Sequence, residues 1–463
     1  MTREDIRKEF HSQIVLILPM LMAQIAQVSL GVADTIMTGR AGALDMAGVA
    51  LSTSLWVPVL LFGQGVVLAV TPAVAQLRGQ GHDSAIHQTL RQAIWLALGM
   101  SAILLTVTGV LTSHLELFGL DEDLARISRG YLHAVMCGGP AYLLFIALRC
   151  SMEGYSRVRP AMVASIAALV VNIPFNYLFI FGKFGFPRLG GIGAGVATAI
   201  TYWAMLGVMI VFASRMSEFR TAFSCLEAPR PTVLFRLFKV GLPGALALLS
   251  EVSMFALIAL MLAPLGAIEV AGHQVALNFS TLIFIMPLSI GMASTIRVGL
   301  AIGQNSPQNI RLATRVALGT ALIVGILSAL LTFCLCRQVA TLYNADPVII
   351  NLAASLLILA SCYQITDALQ TTAIGILRGY NDTKAIFAVT FFCYWIISIP
   401  LGWTLGRTDW LTSAQGARGF WIAIIVGLSL AAVCYLTRIR VLEKRFDACL
   451  AAHHHTTPQA ESV

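Results

Sequence analysis

Apolar runs of about twenty residues recur along the whole chain, separated by short stretches that hold most of the charge. A run of that length is what a helix needs to cross the roughly 30 Å hydrocarbon layer of a bilayer. Inside that layer no water bonds a free backbone group, so a spanning segment satisfies its own amides. At this length the helix is the structure that does so. Twelve spans are read at approximately 12–33, 45–70, 92–113, 130–148, 160–182, 192–213, 235–262, 268–293, 313–334, 347–373, 385–406 and 418–437. Only 11% of the 463 residues are charged, against about 25% in a soluble domain. The fold class expected is therefore an all-α polytopic membrane protein.

The net charge of +8 is a topology signal. With twelve spans, the side that carries both termini collects 22 of the 30 Lys and Arg. Cytoplasmic loops concentrate these residues, so both termini are expected in the cytoplasm, in a bacterial inner membrane. The basic excess gives no reason to expect nucleic acid as a partner. Arg3, Arg7 and Lys8 precede the first span and no small-residue cleavage site follows it, which predicts a retained first helix rather than a removed signal. The nine cysteines are scattered, with Cys334 and Cys336 the sole close pair, and buried free cysteines behave as small hydrophobes. No disulfide, transition-metal site or cofactor is expected.

The chain repeats itself with a period near 225. Leu44-Asp45-Met46-Ala47-Gly48 echoes Ile268-Glu269-Val270-Ala271-Gly272; Gly154-Tyr155 echoes Gly379-Tyr380; and Asn172-Ile173-Pro174 echoes Ser398-Ile399-Pro400. The offsets of 224, 225 and 226 keep the same order. Six helices per half bring the two halves out in the same orientation, so this is a parallel repeat about an axis along the membrane normal. The expected organisation is an N-terminal six-helix lobe at 1–213, a linker at 214–234, a C-terminal lobe at 235–440 and a polar tail at 441–463. The linker is the longest and most basic polar connection, with Arg215, Arg220, Glu227 and Arg230.

A charge at the bilayer centre costs about 3 kcal/mol on insertion scales. Among the 22 Asp and Glu, three stand apart from loops and span edges: Asp34 near the outer end of the first span, Glu251 in the seventh and Asp367 in the tenth. Ser250 and Ser253 flank Glu251, and Pro243 removes a backbone donor two turns earlier. Tyr363 and Gln370 share a helix face with Asp367. Carboxylates beside a phenol and hydroxyls suit a hard monovalent cation or a shared proton. Asn172 and Asn176 face one way on the fifth span, and Thr198 on the sixth can reach the same region. With Asp34 they would form a hydrogen-bonded carboxylate whose protonation follows its surroundings.

Plainer readings exist for each. Asp34 fits a residue at the outer interface, Glu251 and Asp367 fit pairing with a neighbouring helix, and the two asparagines fit interhelical bonding worth about 0.6 kcal/mol each. Arg149 and Glu153 form an i,i+4 pair at the end of the fourth span, and His133 and His273 read as structural. Phe255, Gln274 and Phe284 are candidates for the wall of a substrate path.

The pattern resembles the MATE (multidrug and toxic compound extrusion) family, and most of all its NorM-like branch. The resemblance covers the chain to about residue 440. It rests on Pro19 through Gly39 (PMLMAQIAQVSLGVADTIMTG), on the Ala47-Gly48 and Ala271-Gly272 helix openings, and on the Gly154-Tyr155 and Leu377-Arg378-Gly379-Tyr380 turns. It implies two six-helix lobes around a V-shaped central cavity, and antiport of small organic cations such as dyes and cationic antibiotics against Na+ or H+. It also implies a cation site, for Na+ where sodium is the coupling ion, at Glu251 and Asp367 with Tyr363. A proton or drug switch is implied at Asp34 with Asn172, Asn176 and Thr198. Some family members carry an aspartate where Asn176 stands, so this cluster is one acid short of theirs. A monomer is expected.

Other classes fit less well. A P-loop needs Gly-Lys followed by Ser or Thr, and the one Gly-Lys, Gly182-Lys183, is followed by Phe184. A flippase or exporter of lipid-linked or other amphiphilic metabolites is the alternative. Such proteins usually add two spans and a basic cavity, whereas the buried charges here are acidic. Neither a Gly-x-Ser-x-Gly elbow nor a His-Glu-x-x-His pair is present, so no enzyme is expected.

Overall fold

A computed structural model describes residues 2–223, 227–410 and 413–456, and the regular structure among them is helical throughout. The first half contains α1 (Arg3–Ala41), α2 (Ala43–Val67), α3 (Val70–Gly79), α4 (Asp83–Ser113), α5 (Glu122–Met136), α6 (Gly139–Gly154), α7 (Arg159–Phe181), α8 (Gly191–Arg215) and the short α9 (Ser217–Phe223). The second contains α10 (Pro231–Leu262), α11 (Ala267–Gly303), α12 (Pro307–Tyr343), α13 (Pro347–Gly379), α14 (Thr383–Phe391), α15 (Ile399–Arg407) and α16 (Ala417–Thr456). Eleven helices among the described residues are long and apolar enough to cross a membrane, and the pair α5 and α6 makes a twelfth if taken as one span.

That pair revises one expectation. The span read as continuous over 130–148 is broken at Cys137 and Gly138 and bends by 42°. The break has a packing cause. A side chain at Gly138 would fall 2.7 Å from the Ala199 backbone on α8, and one at Gly139 would meet Trp56 and Leu104 at 2.9 Å. Pro140 then removes the amide that would continue the helix across the break. A second interruption lies between α14 and α15, where residues Phe392–Ser398 form a wider turn with i→i+5 bonding. Pro400, whose ring cannot donate to the carbonyl four residues back, sits just beyond it. Helix α16 continues through residues composition reads as a polar tail, remaining helical to Thr456.

By packing, the chain divides into two units: Leu18–Leu249, and Met1–Ile17 with Ser250–Val463. In the first, Trp56, Leu90, Met100, Leu104 and Phe145 are fully buried. Its linker end is held by α4. Gln92 donates to the Ala228 carbonyl at 3.1 Å and accepts from the Arg230 amide at 2.7 Å, Trp95 donates to the Glu227 carbonyl at 2.9 Å, and Arg91 pairs with Glu227 at 2.5 Å. Arg149 and Glu153 form the expected ion pair at 2.7 Å with both side chains nearly buried, at 6% and 3% exposure.

In the second unit Tyr394, Phe420, Trp421 and Tyr435 are the large buried side chains. The start of α1 is tied into it: Gln13 donates to the Ala313 carbonyl at 3.0 Å, and Arg297 grips Glu9 with Nε at 2.9 Å and with Nη2 as a second prong. His273 accepts from the Trp421 indole at 3.2 Å, a packing role.

The repeat is visible in three dimensions, one copy within each unit. Asp45 accepts the Gly191 amide at 2.6 Å at the start of α8, and Glu269 accepts the Ala417 amide at 2.7 Å at the start of α16. The residues before those amides, Gly190 and Gly416, have φ of 56° and 60°, a left-handed backbone that glycine adopts without steric cost. A side chain at Gly154 would strike Val74 at 2.7 Å, and one at Gly379 would press on Val298 at 3.1 Å.

Candidate functional site

In each unit the acids read from sequence lie in a cluster of polar groups among the helices. In the Leu18–Leu249 unit it is built on α1, α7 and α8. Helix α1 runs seven residues past Asp34, so this carboxylate sits on the helix wall and not at its end. Asn176 donates through Nδ2 to Asp34 Oδ1 at 2.5 Å and to Asn172 Oδ1 at 2.8 Å. The spacing of four aligns the two amides on one face of α7, and both are buried, at 1% and 0% exposure. Thr198 on α8 places its hydroxyl 3.4 Å from Asp34 Oδ2 while also within 2.9 Å of the Ala194 carbonyl. One hydroxyl proton serves one of these at a time. Asp34 itself is half-buried. The four residues read from sequence are thus brought together.

Two tyrosines complete this cluster. The buried Tyr131 of α5 stands beside Thr198 and within the field of Asp34, and Tyr202 of α8 packs on Tyr142 with ring centroids 4.8 Å apart. Tyr142 in turn donates to Gln64 at 2.7 Å.

The cluster of the other unit lies on α10, α11 and α13. Asp367 and Tyr363 are buried, at 6% and 7% exposure, and Asp367 is close enough to Glu251 for the two carboxyls to interact electrostatically. Glu251 is half-buried; the cation whose field it feels is Arg378, eleven residues or about 16 Å along α13 from Asp367. Gln370 donates to the Tyr394 hydroxyl at 2.5 Å, and Tyr394 lies in the field of both acids. Asp367, Tyr363 and Gln364 line a cavity of about 10 Å³ with Ser280, Ser328 and Phe284, near the smallest space that holds a single water. The Gln364 carbonyl accepts from Thr332 at 2.9 Å, while its amide nitrogen is buried with no partner among the described residues.

Of the wall candidates, Phe284 reaches this cavity; Phe255 and Gln274 are not among its lining residues. Phe255 follows Glu251 by one turn on α10, and Gln274 is exposed on α11. The ion pairs formed among the described residues leave out Asp34, Glu251 and Asp367. Three carboxylates within apolar spans, with no Lys or Arg at ion-pair distance among the described residues, form an arrangement whose charge a mobile cation or proton can balance.

A family model described as MatE matches residues 19–178 and 243–404. The chain belongs to the MatE family, whose members are membrane transporters and not enzymes. Multidrug resistance protein MdtK of Pectobacterium atrosepticum is 46% identical over 440 residues, covering 94% of this chain and 96% of that one. The protein of the same name from Yersinia pseudotuberculosis is 44% identical over 452 residues, covering 96% and 99%. Among solved structures, a MATE protein in the bent conformation superposes with a TM-score of 0.86 at 19% identity, over 97% of this chain and 100% of that one. A variant of the Vibrio cholerae MATE transporter VcmN gives 0.85 at 17%, over 95% and 99%. At these identities the structural likeness speaks for the fold: an all-helical, multi-pass protein built as two lobes.

Proposed function

We propose that this chain exports small organic cations from the cell by antiport against Na+ or H+, as a monomer in the inner membrane with both termini in the cytoplasm and no cofactor. The reading is supported by relatives named for multidrug resistance, by the lysine and arginine asymmetry, and above all by one observation. Glu251 and Asp367 share a spanning-helix cluster with Tyr363 and have no ion-pair partner among the described residues.

The lobes are taken as 1–213 and 235–440, with 214–234 joining them and 441–463 as a tail. The coupling ion would occupy the Glu251–Asp367 cluster, with Tyr363 and the cavity-lining hydroxyls as oxygen donors of the kind hard cations take. A ligand shifts an equilibrium between two arrangements only by binding them unequally. Ion and drug therefore exchange if the ion favours the arrangement that binds drug less well. Asp34, clamped by Asn176 and flanked by Thr198, would act as the switch in the other lobe, and Phe284, Phe255 and Gln274 as candidate drug contacts.

The test is ethidium efflux from everted vesicles, with a pH gradient and a Na+ gradient imposed separately. Efflux driven by one gradient, and lost in Glu251→Gln, is the expected result. Efflux that follows neither gradient would overturn the antiport reading.

A further inference from the structure

Neither acid cluster involves a third feature of the Leu18–Leu249 unit. A groove of about 490 Å³ runs between α4 and α8 over α6. Leu144 and Leu148 of α6 line it with Ile94 of α4 and Ile210 of α8, and it ends at Ser214 and at Arg220 of α9. Leu148 is buried and Ile210 is exposed, so the groove has a closed floor and a side open to the surroundings of the helix. On α8 its lining runs from Leu206 to Ser214, eight residues or about 12 Å of helix.

The two ends of this groove differ in kind. Along its length the lining is hydrocarbon, with no carboxylate among the described lining residues. At one end stands the exposed Arg220, which forms no ion pair among the described residues. Glu218, two residues away on α9, is engaged by Arg157 at 3.3 Å and by Ser217 at 3.1 Å. A cation at this mouth repels an organic cation. It attracts an anionic head.

We propose that this groove is a phospholipid site, in which one acyl chain lies along α8 over Leu144 and Leu148 and an anionic headgroup is held by Arg220. The inference rests on the helices spanning a bilayer and is independent of which drug or ion is transported. Basic residues between spanning helices hold anionic headgroups by charge, while the groove supplies the apolar contact a chain needs. Ser214 adds a hydroxyl at the boundary between the two.

Native mass spectrometry of the full chain, delipidated and titrated with phosphatidylglycerol or with phosphatidylcholine of identical chains, tests this directly. Wild type is expected to bind phosphatidylglycerol about fivefold more tightly, the effect of one basic residue facing an anionic headgroup. Arg220→Gln should abolish that preference and leave phosphatidylcholine unchanged. Ile210→Trp, which fills the open side, should weaken both lipids. Both positions are exposed, and melting temperatures verify that the variants fold. A preference that survives in Arg220→Gln would overturn the proposal, as would undiminished binding in Ile210→Trp. Displacement by inorganic phosphate alone would mark a simple anion site, and displacement by ethidium a drug site; either defeats the lipid reading.

Discussion

Asp45 and Glu269, 224 residues apart, perform one task twice: each places a carboxylate oxygen on the first amide of a helix, at 2.6 Å to Gly191 and 2.7 Å to Ala417. Amides at a helix start lack partners within the helix and carry its positive pole, so an anion there is stabilising. Such a cap contributes about 0.5–2 kcal/mol. Asp45→Ala and Glu269→Ala should each lower the melting temperature in detergent by about 1–4 °C, with Glu269→Gln in between, as scanning calorimetry or dye-monitored unfolding would register. Unchanged melting in both alanine variants would show the caps to be idle.

For the ion site, Glu251→Gln and Asp367→Asn are expected to slow gradient-driven ethidium efflux at least about tenfold, the loss corresponding to 1.4 kcal/mol or more in the coupled step. Drug binding, followed by fluorescence anisotropy on purified protein, should persist in both. A variant that binds no drug would place these acids in the drug path instead.

The Asp34 clamp calls for a coupling measurement. Asn176→Ala deletes the donor to the carboxylate, and hydrogen bonds to charged groups contribute about 1.5–3 kcal/mol. The double variant Asp34→Asn with Asn176→Ala should then be less destabilised than the two single effects summed. Asn172→Ala, which removes the second acceptor of the Asn176 amide, should have the smaller effect on efflux. Strict additivity in urea or thermal unfolding would deny the contact.

Glu9 and Arg297 hold the first residues of α1 within the unit that also contains α11, with side chains 6% and 25% exposed. Removing one partner of a buried pair costs up to about 3–5 kcal/mol, less here because Arg297 is partly wet. Glu9→Gln or Arg297→Gln should expose the N-terminal segment to limited proteolysis, and the exchange of Glu9→Arg with Arg297→Glu should restore part of the protection. If the exchanged pair is as sensitive as either single variant, charge complementarity is not what holds the segment.

At the linker, Gln92→Leu keeps the volume of the side chain but loses its bonds to Ala228 and Arg230. Trypsin should then cut after Arg220 several-fold faster than in wild type, while Arg91→Lys should have a milder effect. Equal cutting rates would show that Trp95 and Arg91 suffice to anchor the segment.

Apolar run length made the spans legible, because the bilayer imposes one thickness on every helix. The repeat was legible through a few glycines and prolines at close approaches, and the structure supplies their partners: Val74 for Gly154 and Val298 for Gly379. Asp34, Glu251 and Asp367 stood out because charge is scarce in such helices. What surrounds them did not. Tyr131 and Tyr394 look like ordinary aromatics in apolar helices, and their relation to Thr198 and Gln370 depends on how α5 faces α8 and how α13 faces the wide turn after α14. Gln370 was legible only as a neighbour of Asp367 on its own helix face, since periodicity reports one helix and not the helix opposite. The break at Gly138 escaped detection for the same reason: its cause, Ala199, lies 61 residues away on α8.

Asn176 leaves its own side-chain oxygen buried and without a partner among the described residues. An amide turned half a revolution about its last bond presents an acceptor where a donor stood. The side chain that now greets an anion can therefore greet the corresponding neutral acid, with no backbone displaced. Discrimination between the two forms of Asp34 then falls to Asn172 and Thr198, which must re-pair or go without when the amide turns over.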